Sequence, residues 1–409
     1  MPKSAAFNDY ALASLGPCLR LVEAEPLLTT LRQAMPGWPL MPCATQKATP
    51  DICVWRHPEG YWQEAPALPK GMLLDTSVGT ACSVIADVAG AYLRKHSELV
   101  GLHCGSVEIN GQLVIFPDAH RAGKSTLTSA FAAAGYRVFG DDVLALNQQG
   151  EGIALGIAPR LRLPLPETLA TDFQHFVACH LGPFDERYGY LRLPASRLAA
   201  HGDKRPLGAI LLIDRDHSLS SPQLTRLQPG DGLWQLLQQN FAEHESDQAL
   251  IERFLPLLQR LPCFLLRYPD AYEAAVWLTQ RWEGQSFQAD TPATPSLSAE
   301  SRHSACAALS LGDARRWQTS AAACEWLVGD ELFVIGQSGG DVHRMNATSR
   351  AVWELLKHEP MTLEDVSETL DEFFGGVGLM QIKRDMAQLL ANLDHVGLIH
   401  EACESLSTA

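Results

Sequence analysis

Residues 113–127 read LVIFPDAHRAGKSTL, and this stretch decides the fold of the central part of the chain. The apolar run LVIF leads through Gly123, Lys124 and Ser125 into an alanine-rich segment that has no glycine or proline before residue 135. This pattern predicts a strand, a loop and a helix in that order. Because backbone N–H groups at the start of such a helix can hold phosphate oxygens, the stretch indicates a site for a nucleoside triphosphate.

The residue types in this loop have separate electrostatic tasks. Lys124 would reach the β- and γ-phosphates of ATP, and the Ser125 hydroxyl would hold Mg²⁺. Gly123, Thr126 and Arg121 complete the set of residues that we expect to contact the nucleotide. The loop therefore predicts both ATP and Mg²⁺ as cofactors.

The loop departs from the usual phosphate-binding pattern at its first position. That pattern places a glycine five residues before Gly123, where this chain has Asp118. A side chain there disfavours a positive φ, and a carboxylate near a polyphosphate is repulsive unless Arg121, His120 or a metal offsets it. Two alternatives stay open: an ordinary strand-to-helix turn, or a site that no longer supports turnover.

A second candidate site follows at Gly140-Asp141-Asp142-Val143, where two adjacent carboxylates end a strand-like run. Paired acids near phosphates can hold Mg²⁺ and take a proton from an attacking hydroxyl. Arg160 or Arg162 follows shortly after and would stabilise charge on a transferring phosphoryl group. The alternative for either arginine is an ion pair with a surface acid at the end of a strand.

Three motifs in order carry a resemblance to a known family. They are the run from Leu102 to Phe116, the Gly-Lys-Ser-Thr-Leu segment, and the run from Gly135 to Val143. Together they resemble the core of the HPr serine kinase/phosphorylase-related proteins. The resemblance implies an α/β fold with a P-loop kinase core of the HPr kinase type.

The same resemblance implies roles for individual residues. Lys124 and Ser125 would bind phosphate and metal, and Asp141 would be the general base on the acceptor hydroxyl. Asp142 would assist with the metal, and His103 would lie near the transferred phosphate. No clear counterpart of the family's bifunctional C-terminal signature is present, so phosphorolysis is not implied.

A second resemblance covers the C-terminal part of the chain. The segments 331–335, 339–356 and 389–399 resemble the PqqD family of small precursor-peptide recognition domains. The resemblance implies a small α+β, winged-helix-like domain with three strands followed by three helices. In that family a leader peptide pairs with the exposed edge of the sheet and places apolar side chains against the third helix.

By position, the edge strand here would run from Asp341 to Met345 and the helix from roughly Gln381 to Asp394. The residues that we assign to the peptide-binding region are Asp341, Val342, His343, Arg344, Met345, Met386 and Leu390. The alternative for the apolar residues at helical spacing is that they form the domain's own core.

Changes in composition along the chain predict four regions. Residues 1–90 form a β-rich or α+β N-terminal region, and 91–283 form the HPr kinase-like nucleotide-binding domain. Residues 284–304 are rich in Ser, Thr, Pro and Ala and form a flexible linker. Residues 305–402 form the PqqD-like domain.

Overall composition limits the partners and the location. The formal net charge of −15 over 409 residues argues against a nucleic-acid partner. No apolar run is long enough to span a membrane, and the N-terminus lacks the pattern of a secretion signal, so we expect a cytoplasmic protein. The ten cysteines include no Cys-x-x-Cys pair, which predicts reduced thiols.

These observations lead to one main functional hypothesis with two alternatives. The main hypothesis is an ATP-dependent kinase for a Ser or Thr hydroxyl of a ribosomally synthesised precursor peptide, whose leader binds the PqqD-like domain. The first alternative is a catalytically weak or inactive scaffold that presents the peptide to other modifying enzymes of the pathway. The second is a kinase of an HPr-like carrier protein.

Overall fold

The computed structural model describes residues 6–44, 50–117, 122–241, 245–289, 307–337, 341–373 and 376–402. The described chain forms two compact units. One unit holds the described residues up to 227 together with 235–245 and 256–289. The other unit holds 228–234, 246–255 and the described residues from 307 onward. We call them unit 1 and unit 2.

Unit 1 begins with a six-stranded sheet in the order β3-β1-β2-β4-β5-β6. A buried ion pair crosses this sheet, because Asp9 lies opposite Arg20 and accepts two hydrogen bonds from its guanidinium at 2.7 and 2.9 Å. Two amphipathic helices bury one face each against the core. The elements are β1 (Phe7–Leu12), β2 (Gly16–Val22), α1 (Glu25–Ala34), β3 (Met41–Cys43), β4 (Ile52–His57), β5 (Gly60–Ala65), β6 (Leu68–Leu74) and α2 (Ser77–Lys95).

A mixed nine-stranded sheet follows, with the path β10-β8-β9-β16-β12-β11-β7; β18 pairs with β16, and β17 pairs with β18. A separate three-stranded sheet has the order β13-β15-β14. The elements are β7 (Val100–Leu102), β8 (Gly105–Ile109), β9 (Gln112–Phe116), α3 (Lys124–Ala133), β10 (Arg137–Gly140), β11 (Leu144–Leu146), β12 (Glu151–Ile153), β13 (Arg160–Arg162), α4 (Thr171–His180), β14 (Leu181–Phe184), β15 (Tyr188–Leu191), β16 (Lys204–Arg215), β17 (Gln223–Arg226), α5 (Pro229–Gln239), α6 (Asp247–Leu258), β18 (Cys263–Tyr268) and α7 (Ala271–Trp282).

Strand directions in this sheet bring the predicted site residues to one edge. The turn at Asn110-Gly111 joins β8 and β9 as an antiparallel hairpin, and β10 is also antiparallel to β8. The carboxyl ends of β9 and β10 and the amino end of β8 therefore lie at the same edge. Lys124, Asp141 and His103 follow or precede these strand ends by a few residues.

Unit 2 contains a three-stranded antiparallel sheet, β20-β21-β22, followed by three helices. β19 and β23 form an additional antiparallel pair, which joins the beginning and the end of the described C-terminal part. The elements are β19 (Trp317–Thr319), β20 (Ala322–Val328), β21 (Glu331–Gly336), β22 (His343–Met345), α8 (Ala347–His358), α9 (Leu363–Phe373), α10 (Leu379–His395) and β23 (Ile399–Glu401).

The structure confirms a mixed α/β chain with a small C-terminal α+β part. The order of three strands and three helices agrees with the predicted arrangement, and β19 and β23 are an addition to it. The kinase type of the central fold and the four domain boundaries stay predictions, and most of the predicted linker lies outside the described residues. A helix able to cross a lipid bilayer is absent from the part of the chain that the structure describes.

Candidate functional site

The start of α3 has the geometry of a site for an anion. Gly123 precedes the helix with a φ of +107°, and a Cβ at this position would lie 3.1 Å from the Tyr268 hydroxyl oxygen. Gly123, as the N-cap residue, provides no side-chain hydrogen bond to this end of the helix. The first N–H groups of a helix have no partner within the helix, so an uncapped N-terminus favours a bound anion. Lys124, which is buried, follows directly.

A tight turn after β10 places the two carboxylates. The carbonyl oxygen of Val143 folds back so close to Gly140 that no Cβ could be accommodated there. The Ser106 hydroxyl also donates a hydrogen bond to the Gly140 carbonyl oxygen at 3.4 Å. The turn directs Asp141 into the protein, where it is buried, and leaves Asp142 exposed. The adjacent acids therefore have different surroundings.

The Asp141 carboxylate is buried and incompletely paired. Its Oδ2 accepts a hydrogen bond from the Arg160 backbone N–H at 2.9 Å, whereas its Oδ1 has no hydrogen-bond partner within the described residues. Burial, reinforced by the charge of Asp142, raises its pKa to about 7, and Ser125 and Lys124 oppose this shift only in part. The carboxylate thus lies beside both predicted phosphate-site residues and exchanges its proton near neutral pH.

His103 lies on the other side of the carboxylate pair. Its Nε2 is 2.8 Å from Oδ1 of Asp142. The histidine backbone is fixed by a short antiparallel contact, in which its N–H donates to the Gln239 carbonyl oxygen at 2.7 Å and the Phe241 N–H donates to the Gly101 carbonyl oxygen at 3.0 Å. This contact orients the imidazole toward Asp142.

The structure distinguishes the two candidate arginines. Arg160 lies at the start of β13, where its guanidinium is 3.8 Å from Oδ2 of Asp142 and its carbon Cζ is 4.9 Å from the centre of the Tyr188 ring. Arg162 is exposed, and its Cζ is 5.9 Å from the centre of the same ring. Arg160 therefore lies close to the carboxylate pair.

The donor set fits a magnesium ion that keeps phosphate and water ligands. The Ser125 hydroxyl and the Asp142 carboxylate each lie near Asp141, and Oδ1 of Asp141 is a buried oxygen that a bound group would satisfy. No group of three or more His, Cys, Asp or Glu side chains suited to a metal ion occurs among the described residues. Arg121 and Asp118 lie outside the described residues, whereas Thr126 is half-buried in α3.

A cleft of about 420 Å³ opens beside this site within unit 1. His103 and Asp142 line one part of it, and residues of α2 line another. No described residue of the Gly123–Thr126 segment lines it. The sequence analysis did not identify the cleft, because its lining comes from segments that are far apart in the chain.

The predicted peptide-binding strand is at a sheet edge in unit 2. β22 pairs with β21 on one side, and the order β20-β21-β22 makes it a terminal strand of this sheet. Asp341 and Val342 precede the strand, and the strand itself is shorter than predicted because it includes only His343, Arg344 and Met345. Met345 is buried and His343 is half-buried.

The Arg344 side chain has structural partners. One of its terminal nitrogens donates to Asp231 at 2.6 Å and to Glu331 at 2.8 Å, and all three side chains are at most 4% exposed. The ring of Trp234 lies next to that of Phe333, with centroids 6.5 Å apart. Residues 228–234 therefore belong to the packing of unit 2. The side chain of Arg344 is engaged inside the unit, although its backbone is part of the edge strand.

The helical stripe of α10 is mostly core. Met386 and Leu390 are 5% and 0% exposed and belong to the hydrophobic cluster of unit 2. Leu389 is only partly buried and packs at the margin of that cluster. Met386 and Leu390 therefore belong to the core of unit 2, as the alternative interpretation of this stripe predicts.

Comparisons with known proteins bear on unit 2. Residues 331–399 match the family of coenzyme PQQ synthesis protein D (PqqD), and this range includes β21, β22, α8, α9 and α10. A solved structure of TbiB1 in complex with the TbiA(beta) leader peptide is similar to part of the chain, with 19% identity and a TM-score of 0.19. That similarity covers 21% of this chain and 99% of TbiB1. No curated protein has a significant match to the chain.

Proposed function

We propose that this protein is an ATP-dependent kinase that phosphorylates a Ser or Thr hydroxyl of a precursor peptide, and that unit 2 binds the leader of that peptide. The observation that carries the kinase proposal is the convergence of Lys124, Ser125, Asp141, Asp142 and His103 at one sheet edge. The match of 331–399 to the PqqD family supports the peptide-binding part.

In this proposal each residue acts on a defined atom. Lys124 binds oxygens of the transferring phosphate, and Ser125 and Asp142 would hold Mg²⁺, which would offset the phosphate charge. Asp141 accepts the proton of the acceptor hydroxyl. The hydroxyl oxygen bonds to the γ-phosphorus as the bond to the β–γ bridging oxygen breaks and ADP leaves. Arg160 stabilises charge on the transferring group.

The pKa of Asp141 supports its role as base. A general base works best when its pKa is near the working pH, because it is then both ionised and able to hold a proton. Burial raises the pKa of Asp141 to about 7.

In the peptide-binding part, the leader adds as a strand to β22 and gains main-chain hydrogen bonds there. The backbone of His343 to Met345 supplies this edge. Apolar leader side chains contact α10 at its partly exposed members, such as Leu389, since Met386 and Leu390 are in the core.

The first test measures Mg·ATP binding by calorimetry for the native chain and for Lys124→Ala, followed by mass spectrometry of precursor peptide incubated with both. We expect saturable binding that is lost in the variant, and a peptide mass increased by one phosphate with the native chain only. Asp141→Asn should retain nucleotide binding and lose about 10²–10⁴-fold in transfer. A native chain that binds no nucleotide would leave the scaffold function, carried by unit 2, as the alternative.

A further inference from the structure

One face of the three-stranded sheet β13-β15-β14 carries two arginines and two tyrosines close to the carboxylate pair. β13 and β15 are antiparallel, with Arg160 opposite Tyr190 and Arg162 opposite Tyr188. Residues that lie opposite each other, or two apart in one strand, point to the same face of a sheet, so these four side chains share one face. Arg160, whose guanidinium is 3.8 Å from Oδ2 of Asp142, is therefore a neighbour of both tyrosines.

The Arg160 guanidinium contacts a hydroxyl and an aromatic ring in addition to the Asp142 carboxylate. It donates a hydrogen bond to the hydroxyl oxygen of Tyr190. Its Cζ lies 4.9 Å from the centre of the Tyr188 ring, a distance at which a cation and an aromatic face attract each other. The Arg160 backbone is fixed as well, because its N–H donates to Oδ2 of Asp141 at 2.9 Å. Both the backbone and the side chain of this arginine are thus held beside the two acids.

The Tyr190 hydroxyl is suited to hold a guanidinium rather than to exchange a proton. Tyr190 is 2% exposed, and burial raises the pKa of its phenol to about 12, a shift that the charge of Arg160 opposes only in part. The phenol therefore stays protonated and neutral near pH 7. A neutral acceptor fixes the guanidinium in place and leaves its positive charge available to a phosphate.

Binding of a metal ion would change the contacts of Arg160. In the proposed function Asp142 would hold Mg²⁺, so its carboxylate would be shared between the metal and the guanidinium. An arginine held by Asp142 alone would then be free to turn away when the phosphoryl group is transferred. Neither the neutral Tyr190 hydroxyl nor the Tyr188 ring is a preferred ligand of Mg²⁺, so both contacts would persist.

Resting on the proposed function, we infer that Tyr190 is a positioning residue for phosphoryl transfer. Its hydroxyl oxygen, together with the ring of Tyr188, keeps the Arg160 guanidinium directed at the transferring phosphoryl group while Asp142 holds the metal. Tyr190 acts on the reaction through Arg160, so the loss of its hydroxyl should matter only when the arginine is present.

The kinetic test compares Tyr190→Phe, Arg160→Gln and the double variant in the full chain. Tyr190→Phe removes one oxygen and retains the buried ring, so we expect the urea unfolding midpoint and the affinity for Mg·ATP by calorimetry to stay native. Its kcat for transfer to the precursor peptide should fall about tenfold, with KM for ATP unchanged. Arg160→Gln should lower kcat about a hundredfold, and Tyr190→Phe should cause no further loss in that background.

Chemical modification measures the accessibility of the guanidinium without any nucleotide. Phenylglyoxal reacts with accessible guanidinium groups, and mass spectrometry gives the rate at each arginine. The Arg160 side chain is 24% exposed, whereas Arg162 is an exposed residue. We expect Arg160 to react severalfold faster in Tyr190→Phe than in the native chain, with Arg162 unchanged as the internal reference. Tyr10→Phe, at a buried tyrosine of β1, is the matched control and should retain native transfer and native modification rates.

The outcomes separate the two proposals. A native chain that neither binds Mg·ATP nor transfers phosphate would overturn the proposed kinase, whereas the modification rates would still show whether Tyr190 holds Arg160. Native transfer in Tyr190→Phe, or an unchanged rate of Arg160 modification, would overturn the positioning role. Losses of kcat that multiply in the double variant would also overturn it, because Tyr190 would then act without Arg160. A lowered unfolding midpoint or weaker Mg·ATP binding in Tyr190→Phe would mean that Tyr190 stabilises the fold or the nucleotide site instead.

Discussion

The side chains of Arg344 and Asp141 are both withdrawn from water, but they are paired very differently. Arg344 donates hydrogen bonds to two buried carboxylates, those of Asp231 and Glu331. Asp141 accepts one backbone hydrogen bond on Oδ2, whereas its Oδ1 has no hydrogen-bond partner in the described chain. A buried charge with strong partners fixes local structure, whereas an incompletely paired one has a shifted pKa and is available for chemistry.

Removing the paired cation gives the largest expected effect on stability. Arg344→Met should destabilise unit 2 by about 3–5 kcal/mol, because it leaves two buried carboxylates without their counter-charge. Hydrogen exchange of peptides covering β21 and β22 measures this loss locally. The control is Lys357→Met, since Lys357 pairs with Glu325 at 2.7 Å on the surface and should contribute less than about 1 kcal/mol. If both variants lost the same free energy of unfolding, the buried pairing of Arg344 would stabilise the chain no more than a surface ion pair does. The contrast drawn between Arg344 and Asp141 would then be wrong.

Removing the incompletely paired carboxylate charge of Asp141 should increase the free energy of unfolding, whereas removing the Arg344 charge should decrease it. Burial raises the pKa of Asp141 to about 7, well above its value near 3.9 in an unfolded chain. Its contribution to stability is therefore fully present below about pH 4 and is lost as the pH rises to about 7. Asp141→Asn removes this dependence and should be more stable than the native chain at pH 8 by about 2–4 kcal/mol.

Urea unfolding of unit 1 at pH 5 and pH 8 checks this expectation. Asp172 is an exposed carboxylate of α4, so Asp172→Asn should follow the native pH dependence. If Asp141→Asn destabilised the chain at pH 8, then the carboxylate would be a structural group like those around Arg344.

The smallest effect on stability is expected at His103. The His103 and Asp142 side chains are 31% and 56% exposed, so their pairing should contribute less than about 1 kcal/mol. His103→Gln should therefore unfold like the native chain, while phosphoryl transfer falls about tenfold or more because the group beside Asp142 changes. If His103→Gln lost as much stability as Arg344→Met, then His103 would be a residue that stabilises the fold, as Arg344 is.

Elements set by local sequence could be predicted well. The apolar run and the Gly-Lys-Ser segment predicted β9 and α3. The stripe of α10 predicted a helix close to its observed bounds. These signals depend on residues within one or two turns of each other, and no distant contact is needed to recognise them.

Features set by distant contacts could not be predicted. Arg344 was assigned to peptide binding from its position in the edge strand, but its partner Asp231 is 113 residues away. The cleft likewise joins α2 to Asp142 and Phe241. The difference in burial between Asp141 and Asp142 could not be predicted either, because it arises from the turn at Gly140 and the two residues are identical and adjacent in sequence.

The origin of the residues in unit 2 bears on how such proteins can be rearranged in evolution. The family match begins at residue 331, yet the unit includes 228–234 and 246–255. A gene fragment that starts at the predicted linker would encode Arg344 and Glu331 without Asp231 or Trp234. Recombination at that point would transfer an ion cluster lacking one carboxylate. Unit 2 is therefore not encoded by one continuous C-terminal gene segment, because it also includes residues of the α5 and α6 region.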